Sequence, residues 1–190
     1  MILLVTGGSG SGKSSYAESR LMELSAGRRL YLATMQVLDE ESRDRVKRHV
    51  AARRGKGFET LECPAGVGQL AADVSLKGAA VLLEDLSNLL ANEMFAPGAD
   101  PFRTPDKVLE DLKLLSAACA HLVVVTNDVF ADGAQYDDTG ILEFCRGLGF
   151  LNISLAQMAD EAVEVVCGIP VLLKKSSRDK PEASTVLKKE

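Results

Sequence analysis

Eight consecutive residues carry the clearest chemistry in this chain of 190 residues: Gly7-Gly8-Ser9-Gly10-Ser11-Gly12-Lys13-Ser14. The pattern G-x-x-x-x-G-K-S is a phosphate cradle. Glycines let successive backbone N–H groups turn inward around a polyphosphate, and a helix starting at the loop's end adds its positive dipole end. The Lys13 ammonium would then lie against the β- and γ-phosphates, and the Ser14 hydroxyl would ligate Mg²⁺. A second candidate, Leu82-Leu83-Glu84-Asp85, is an apolar run closed by carboxylates, the form of a Walker B strand. Glu84 directly follows the apolar residues and is the better metal ligand; Asp85 is placed to cap a following helix. A third is the cation-rich stretch from Glu40 to Arg54, which surrounds His49, one of only two histidines. Charge runs on helices are usually solvated faces. The sharper alternative is an anion-binding lobe in which His49 acts on phosphorus as nucleophile or proton shuttle. Asn127-Asp128 follows an apolar strand and reads equally as a turn or an active-site loop, with Asp128 a candidate general base. His121 opens an apolar strand and reads as structural.

The elements around these residues alternate. Residues 1–6 form an apolar run that leads straight into the phosphate loop, and 15–22 have helical spacing. Strands are predicted at 29–34, 58–62, 79–84 and 121–126, and helices at 39–54, 65–74, after Asp85 to about Phe95, at 105–119 and up to about Met158. Ala162–Cys167 and Pro170–Leu173 read as two final strands joined by a turn at Gly168-Ile169. Such alternation implies an α/β sandwich with a mostly parallel sheet and ligands at the carboxyl ends of its strands. Residues 1–174 suffice for one domain, and 175–190 read as a polar tail. The net charge of −5 argues against a nucleic-acid partner but not against a small anion held by backbone amides. Four scattered cysteines (Cys63, Cys119, Cys145, Cys167) form no C-x-x-C pair and read as small buried residues of a reducing compartment. The first apolar run is too short for a signal peptide and no stretch is long enough for a membrane span, so the expectation is a cytoplasmic protein.

Taken in order, these blocks resemble the bifunctional adenosylcobinamide kinase/adenosylcobinamide-phosphate guanylyltransferase family of cobalamin biosynthesis. The resemblance is carried by Ile2–Gly8 with Ser11–Ser14, Tyr31–Thr34 with Gln36, Asp39-Glu40, Arg45-Val46, and His49 with Arg53. It continues through Thr60 with Glu62, Val81–Glu84, Asn92, Val124–Val129, Asn152, Ala159–Glu161 and Gly168–Pro170, nearly the whole chain. It implies a RecA-like P-loop NTPase, a three-layer sandwich ending in a hairpin. It also implies that ATP or GTP and Mg²⁺ serve two reactions on a corrinoid substrate, phosphorylation and then GMP transfer through a guanylylated His49. By the same resemblance Thr34, Glu62 and Glu84 join the loop residues in binding nucleotide, and the assembly is a homo-oligomer, specifically a homotrimer. The chain departs from the family's pattern at Gly10, where arginine is usual, at Arg53-Arg54, in the loop from Phe130 to Asp137, and at Phe150 and Ile153. These changes are expected to touch loops facing the substrate and to leave triphosphate binding intact. Two rival readings stand beside this one: a P-loop kinase of another small molecule, with His49 structural, and a nucleotide-binding regulatory module without chemistry.

Overall fold

A computed structural model describes residues 1–36, 40, 43–44, 51, 53–72, 76–129 and 138–175. The strands are β1 (Ile2–Thr6), β2 (Arg29–Ala33), β3 (Phe58–Glu62), β4 (Ala80–Glu84), β5 (His121–Val125), β6 (Glu161–Val166) and β7 (Ile169–Lys175). They form one seven-stranded sheet in the order β3-β2-β4-β5-β1-β6-β7. Every neighbouring pair is parallel except β6 and β7, which run antiparallel as the terminal hairpin. Helices α1 (Lys13–Leu24), α2 (Leu86–Met94), α3 (Thr104–Ala118) and α4 (Thr139–Met158) cover the sheet.

Strands β4 and β5 are apolar on both faces, as parallel strands sandwiched between helices must be. Alternate residues therefore feed two cores. Leu3, Val5, Tyr31, Leu82, Val123 and Val125 pack under α1 with Ala17 and Leu21. Leu4, Leu30, Leu32, Val81, Leu83 and Val124 point the other way, onto Leu89, Leu112 and Leu151 of α2, α3 and α4. Burying each such leucine contributes roughly 1.5–3 kcal/mol. The result is a three-layer sandwich whose central strands cannot slip, because a shift of one residue would exchange the two cores.

The strands expected from sequence are met to within a residue, except that the last, expected at Pro170–Leu173, runs two residues further to Lys175. Pro105 lies in the first turn of α3, where its missing N–H costs nothing. Asp138 caps α4, accepting from Gly140 and Ile141 N–H. Three expectations need correction. The weak helix expected at 65–74 is a short 3₁₀ segment, Val67–Ala72, where Gly68 lies so close to Asp111 that an added Cβ would meet its Oδ1 at 2.2 Å. The final hairpin turns at Cys167-Gly168, not Gly168-Ile169, with φ of 51° and 80°. A two-residue turn with both φ positive matches the twist of the flanking strands, and that leaves Cys167 exposed rather than buried. The other three cysteines are half-buried, and none of the four is disulfide-bonded. Finally, β7 continues through Lys175, one residue into the expected tail; 176–190 lie outside the described residues. No described helix is long and apolar enough to cross a membrane.

Candidate nucleotide-binding site

The loop from Gly7 to Gly12 joins the carboxyl end of β1 to α1. Gly7, Gly10 and Gly12 have φ of 154°, 71° and 92°. Glycine is compulsory at Gly7, where a Cβ would stand 2.6 Å from the Val165 carbonyl oxygen and 2.7 Å from Ser11 Oγ. The hairpin turn braces the loop from outside, Gly168 N–H donating to the Ser11 carbonyl at 2.8 Å. Gly8, Ser9 and Gly10 stay exposed. Lys13 is 8% exposed, and its ammonium folds back to donate to the Gly8 carbonyl at 3.1 Å. The cation is thus held across the mouth of the loop.

Helix α1 lies across β5 and β4, so β5 intervenes between the strand that feeds the loop and the strand that carries the carboxylate. This oblique crossing brings Ser14 to Glu84, seventy residues away, and the Ser14 hydroxyl donates to Glu84 Oε1. Glu84 Oε2 is buried with no hydrogen-bond partner. Burial pushes the Glu84 carboxyl up to about 7, and Asp85 and Glu18 push the same way; Ser14 and Lys13 partly oppose them. A hard dication takes oxygen ligands and keeps phosphate and water in the rest of its shell. The Ser14 hydroxyl and the Glu84 carboxylate, one of whose oxygens is buried and unpaired, fit Mg²⁺ beside the phosphate loop on that ground.

Asp85 caps α2, accepting from Asn88 N–H at 2.7 Å, and its other oxygen accepts from Asn127 Nδ2 at 3.1 Å. Asn127 also donates to Ser87 Oγ at 2.6 Å. Asn127 is therefore neither a simple turn residue nor free: it ties the end of β5 to the start of α2. Asp128 N–H faces the Gly7 carbonyl at 3.4 Å, which joins this strand end to the phosphate loop. Thr34 is fully buried, its N–H on the Glu84 carbonyl at 3.1 Å and its hydroxyl on the Asp85 carbonyl at 2.8 Å. Its side chain is committed to holding the 84–85 backbone. Asn92 of α2 donates to the Thr34 and Pro64 carbonyls at 2.7 and 2.9 Å. Glu62 is exposed at the end of edge strand β3, paired through Ala33 to Glu84, so two strand spacings, roughly 10 Å, separate the two carboxylates.

His49 lies outside the described residues, as does most of the expected basic helix; Glu40, Arg43, Asp44, Ala51 and Arg53 of that stretch are helical. Sequence reasoning passed over Glu18, a buried acid. The available signal was its position four residues after Ser14, one helical turn, on the face that meets the sheet.

Residues 3–173 match the sequence model of the cobinamide kinase / cobinamide phosphate guanyltransferase family. The bifunctional adenosylcobalamin biosynthesis protein CobU of Salmonella typhimurium is 35% identical over 185 residues, covering 92% of this chain and all of that one. Its namesake from Escherichia coli is 34% identical over 188 residues, covering 92% and 100%. Among solved structures, an ATPase domain matches with a TM-score of 0.59 and 15% identity, over 95% of this chain and 78% of that one, a likeness of fold alone. The fold is that of a RecA-like P-loop NTPase, and the chain belongs to the cobinamide kinase / cobinamide phosphate guanyltransferase family.

Proposed function

We propose that this protein phosphorylates adenosylcobinamide and then converts the product to adenosylcobinamide-GDP with GTP. Family membership carries the reading, and the Lys13, Ser14 and Glu84 arrangement supports it. In the first reaction the aminopropanol hydroxyl oxygen attacks the γ-phosphorus of ATP or GTP, the nucleoside diphosphate leaves, and the hydroxyl proton passes to a base or to water. In the second, an imidazole nitrogen of His49 attacks the α-phosphorus of GTP and pyrophosphate leaves. A phosphate oxygen of the corrinoid then attacks the histidine-bound phosphorus, forming the new P–O bond as the P–N bond breaks and His49 is freed.

The loop amides of Gly7 to Gly12 and the Lys13 ammonium stabilise the charge that builds on the triphosphate in either reaction. Ser14 and Glu84 are the residues to hold Mg²⁺, which neutralises phosphate charge when bound. Thr34, which holds the Glu84–Asp85 backbone, and Glu62 are read as nucleotide-binding residues by the family resemblance. On the same family grounds the assembly is read as a homo-oligomer, a homotrimer, and the cytoplasmic location expected from the sequence is kept as part of the proposal.

The test is incubation with Mg²⁺ and GTP labelled at the α-phosphate, followed by peptide mapping. The expected result is an acid-labile GMP adduct on the peptide carrying His49, absent in His49→Asn, with kinase turnover surviving that substitution. A protein that binds GTP yet forms no adduct overturns the guanylyl-transfer half and leaves a P-loop small-molecule kinase.

A further inference from the structure

A cavity of about 370 Å³ lies under α4, on the face of the sheet opposite α1. Its floor is Leu4 and Thr6 of β1, two residues apart and so on one face of the strand. Its wall is Asn152, Ile153 and Ala156 of α4, whose three- and four-residue spacings share one helix face. Lys174 closes the end nearer Leu4, its ammonium committed to the Ala156 and Gln157 carbonyls at 3.0 and 2.8 Å. Ile153 and Leu173, 63% and 59% exposed, form an apolar lip. The end nearer the phosphate loop is polar. Thr126 is fully buried, and its hydroxyl donates to Asn152 Oδ1 at 2.8 Å, which orients the amide and leaves Nδ2 over. Among the described residues neither Asn152 Nδ2 nor the Thr6 hydroxyl has a hydrogen-bond partner.

Apolar walls with a few polar groups converging at one end are the composition of a small-molecule site. A larger cavity, of about 590 Å³ between α2 and the start of α3, differs on this point. Its buried acid, Glu93, already accepts from Gly66 N–H at 2.8 Å and pairs with Lys107. Position separates the two further. Thr6 directly precedes Gly7, so the polar end of the smaller cavity adjoins the loop that cradles the triphosphate. A primary carboxamide matches that end in both directions: its carbonyl accepts from Asn152 Nδ2, and its NH₂ donates to the Thr6 hydroxyl oxygen. The apolar walls take methyl groups. A corrinoid rim carries methyl groups and primary amides side by side, and the cavity admits one edge of the macrocycle rather than the whole ring.

We propose that this cavity seats an amide-bearing edge of the corrinoid substrate. Asn152 and Thr6 read the carboxamide, and Ile153, Ala156 and Leu173 pack on the methyl-bearing rim. The inference rests on the proposed activity and adds the place of the phosphate acceptor: the α4 face of the sheet, with the aminopropanol arm directed past Gly7 to the γ-phosphate.

The experiment compares the full-length protein with Asn152→Asp, which keeps an oxygen for Thr126 and deletes the donor, and with Ala156→Phe, which fills the cavity. It reads KM and kcat for phosphorylation of adenosylcobinamide, affinity for Mg²⁺-nucleotide without corrinoid, the melting temperature and the sedimentation coefficient. Asn152→Asp is expected to raise KM for adenosylcobinamide on the order of tenfold, the scale of leaving one polar group unpaired, and Ala156→Phe at least as much. In both, kcat stays within about threefold and nucleotide affinity within about twofold, the pattern of lost substrate binding alone. Ile153→Glu, at the exposed lip where substitution is best tolerated, shows the same KM shift more weakly and carries the test if the other two fail to fold. An unchanged KM in the folded variants overturns the inference, as does an equal loss of nucleotide affinity. A changed sedimentation coefficient with KM unchanged overturns it too, and gives the cavity to a second copy of the chain. A wild-type protein that turns over no adenosylcobinamide fails the functional reading instead, and this inference falls with it.

Discussion

Glu84 and His121 sit on neighbouring parallel strands, and each has a buried side-chain atom without a hydrogen-bond partner. His121 pairs in register with Ala80 at the amino end of β4, and Glu84 closes the carboxyl end of the same strand, roughly 13 Å further along. Their surroundings differ in kind. Around Glu84 are the Ser14 hydroxyl, the Lys13 ammonium and two more carboxylates, and the acid is pushed up to about 7 because burial and like charge outweigh the cation. Around His121 there is burial and the chain's own amino terminus, and both push the imidazole below its usual value. One site is short of positive charge and open to a dication; the other holds a neutral ring that needs no counter-ion. An unpartnered buried atom carries a cost of about 1–3 kcal/mol wherever it occurs. It marks a site only where other groups converge on the same space.

The carboxyl end of the sheet is where substitutions should matter most. Lys13→Ala removes the cation at the loop's mouth and is expected to lower both kinase and guanylyl-transfer turnover on the order of 10²-fold or more, the scale for deleting one preorganised charge-stabilising donor. Far-ultraviolet circular dichroism should be unchanged. Near-normal turnover in this variant would break the assignment of the phosphate loop.

Glu84→Gln should produce a smaller but more diagnostic change, because it separates charge from shape. In metal-free protein Glu84 keeps its proton to about pH 7, whereas the unfolded chain releases it near 4.5. Between those values the native state binds more protons. Its contribution is therefore fully present below about 4.5 and is lost as pH rises through 7, with a slope of at most about 1.4 kcal/mol per pH unit. Urea titrations in EDTA from pH 4.5 to 8 should show that decline, and Glu84→Gln should flatten it. Affinity for the Mg²⁺-nucleotide should run the other way, rising as the carboxylate forms, and in Glu84→Gln it should be weak at every pH. A wild-type decline that persists in Glu84→Gln would assign the titration elsewhere.

How far these features could be read in advance follows from how they are encoded. The phosphate loop is contiguous, and each of its residues has a local reason, so Gly7 to Ser14 declares itself in sequence. Glu84 was legible because an apolar strand ending in an acid points to a strand's carboxyl end, and the parallel architecture puts such ends together. The strand order is another matter. That β5 lies between β1 and β4, so that α1 must cross it for Ser14 to meet Glu84, is a property of the packed sheet. Glu18 and Lys56 form an ion pair although they lie 38 residues apart, and nothing local to either announces it. The stacking of the Arg53 guanidinium on the Tyr31 ring also depends on a segment returning over β2. The hairpin turn was misplaced by one residue because a positive φ at Cys167 has no local sign, whereas glycine at 168 does. The bond from the Thr34 hydroxyl to the Asp85 carbonyl likewise joins residues 51 apart and has no local sign in the sequence.

The smallest expected effect belongs to the amino end of the sheet. Met1's ammonium donates to the Ala120 carbonyl at 3.0 Å, which puts a fixed positive charge beside His121. Burial and this charge lower the His121 pKa from 6.5, so the folded protein binds fewer protons than the unfolded chain just below that value. The contribution from this group is present above 6.5 and is lost as pH falls through its native pKa. His121→Leu removes both the proton linkage and the unpaired nitrogen while keeping an apolar strand residue. Kinase and guanylyl-transfer rates should stay within about twofold of wild type, and stability at pH 7.5 should change by less than about 1 kcal/mol. Only the acid side of the stability profile should respond, with the variant losing less than wild type between pH 6.5 and 5. A large loss of turnover in His121→Leu, with the fold intact, would erase the distinction between the two ends: the imidazole would then act on the chemistry from some 13 Å behind the phosphate loop, through β5 and its neighbours.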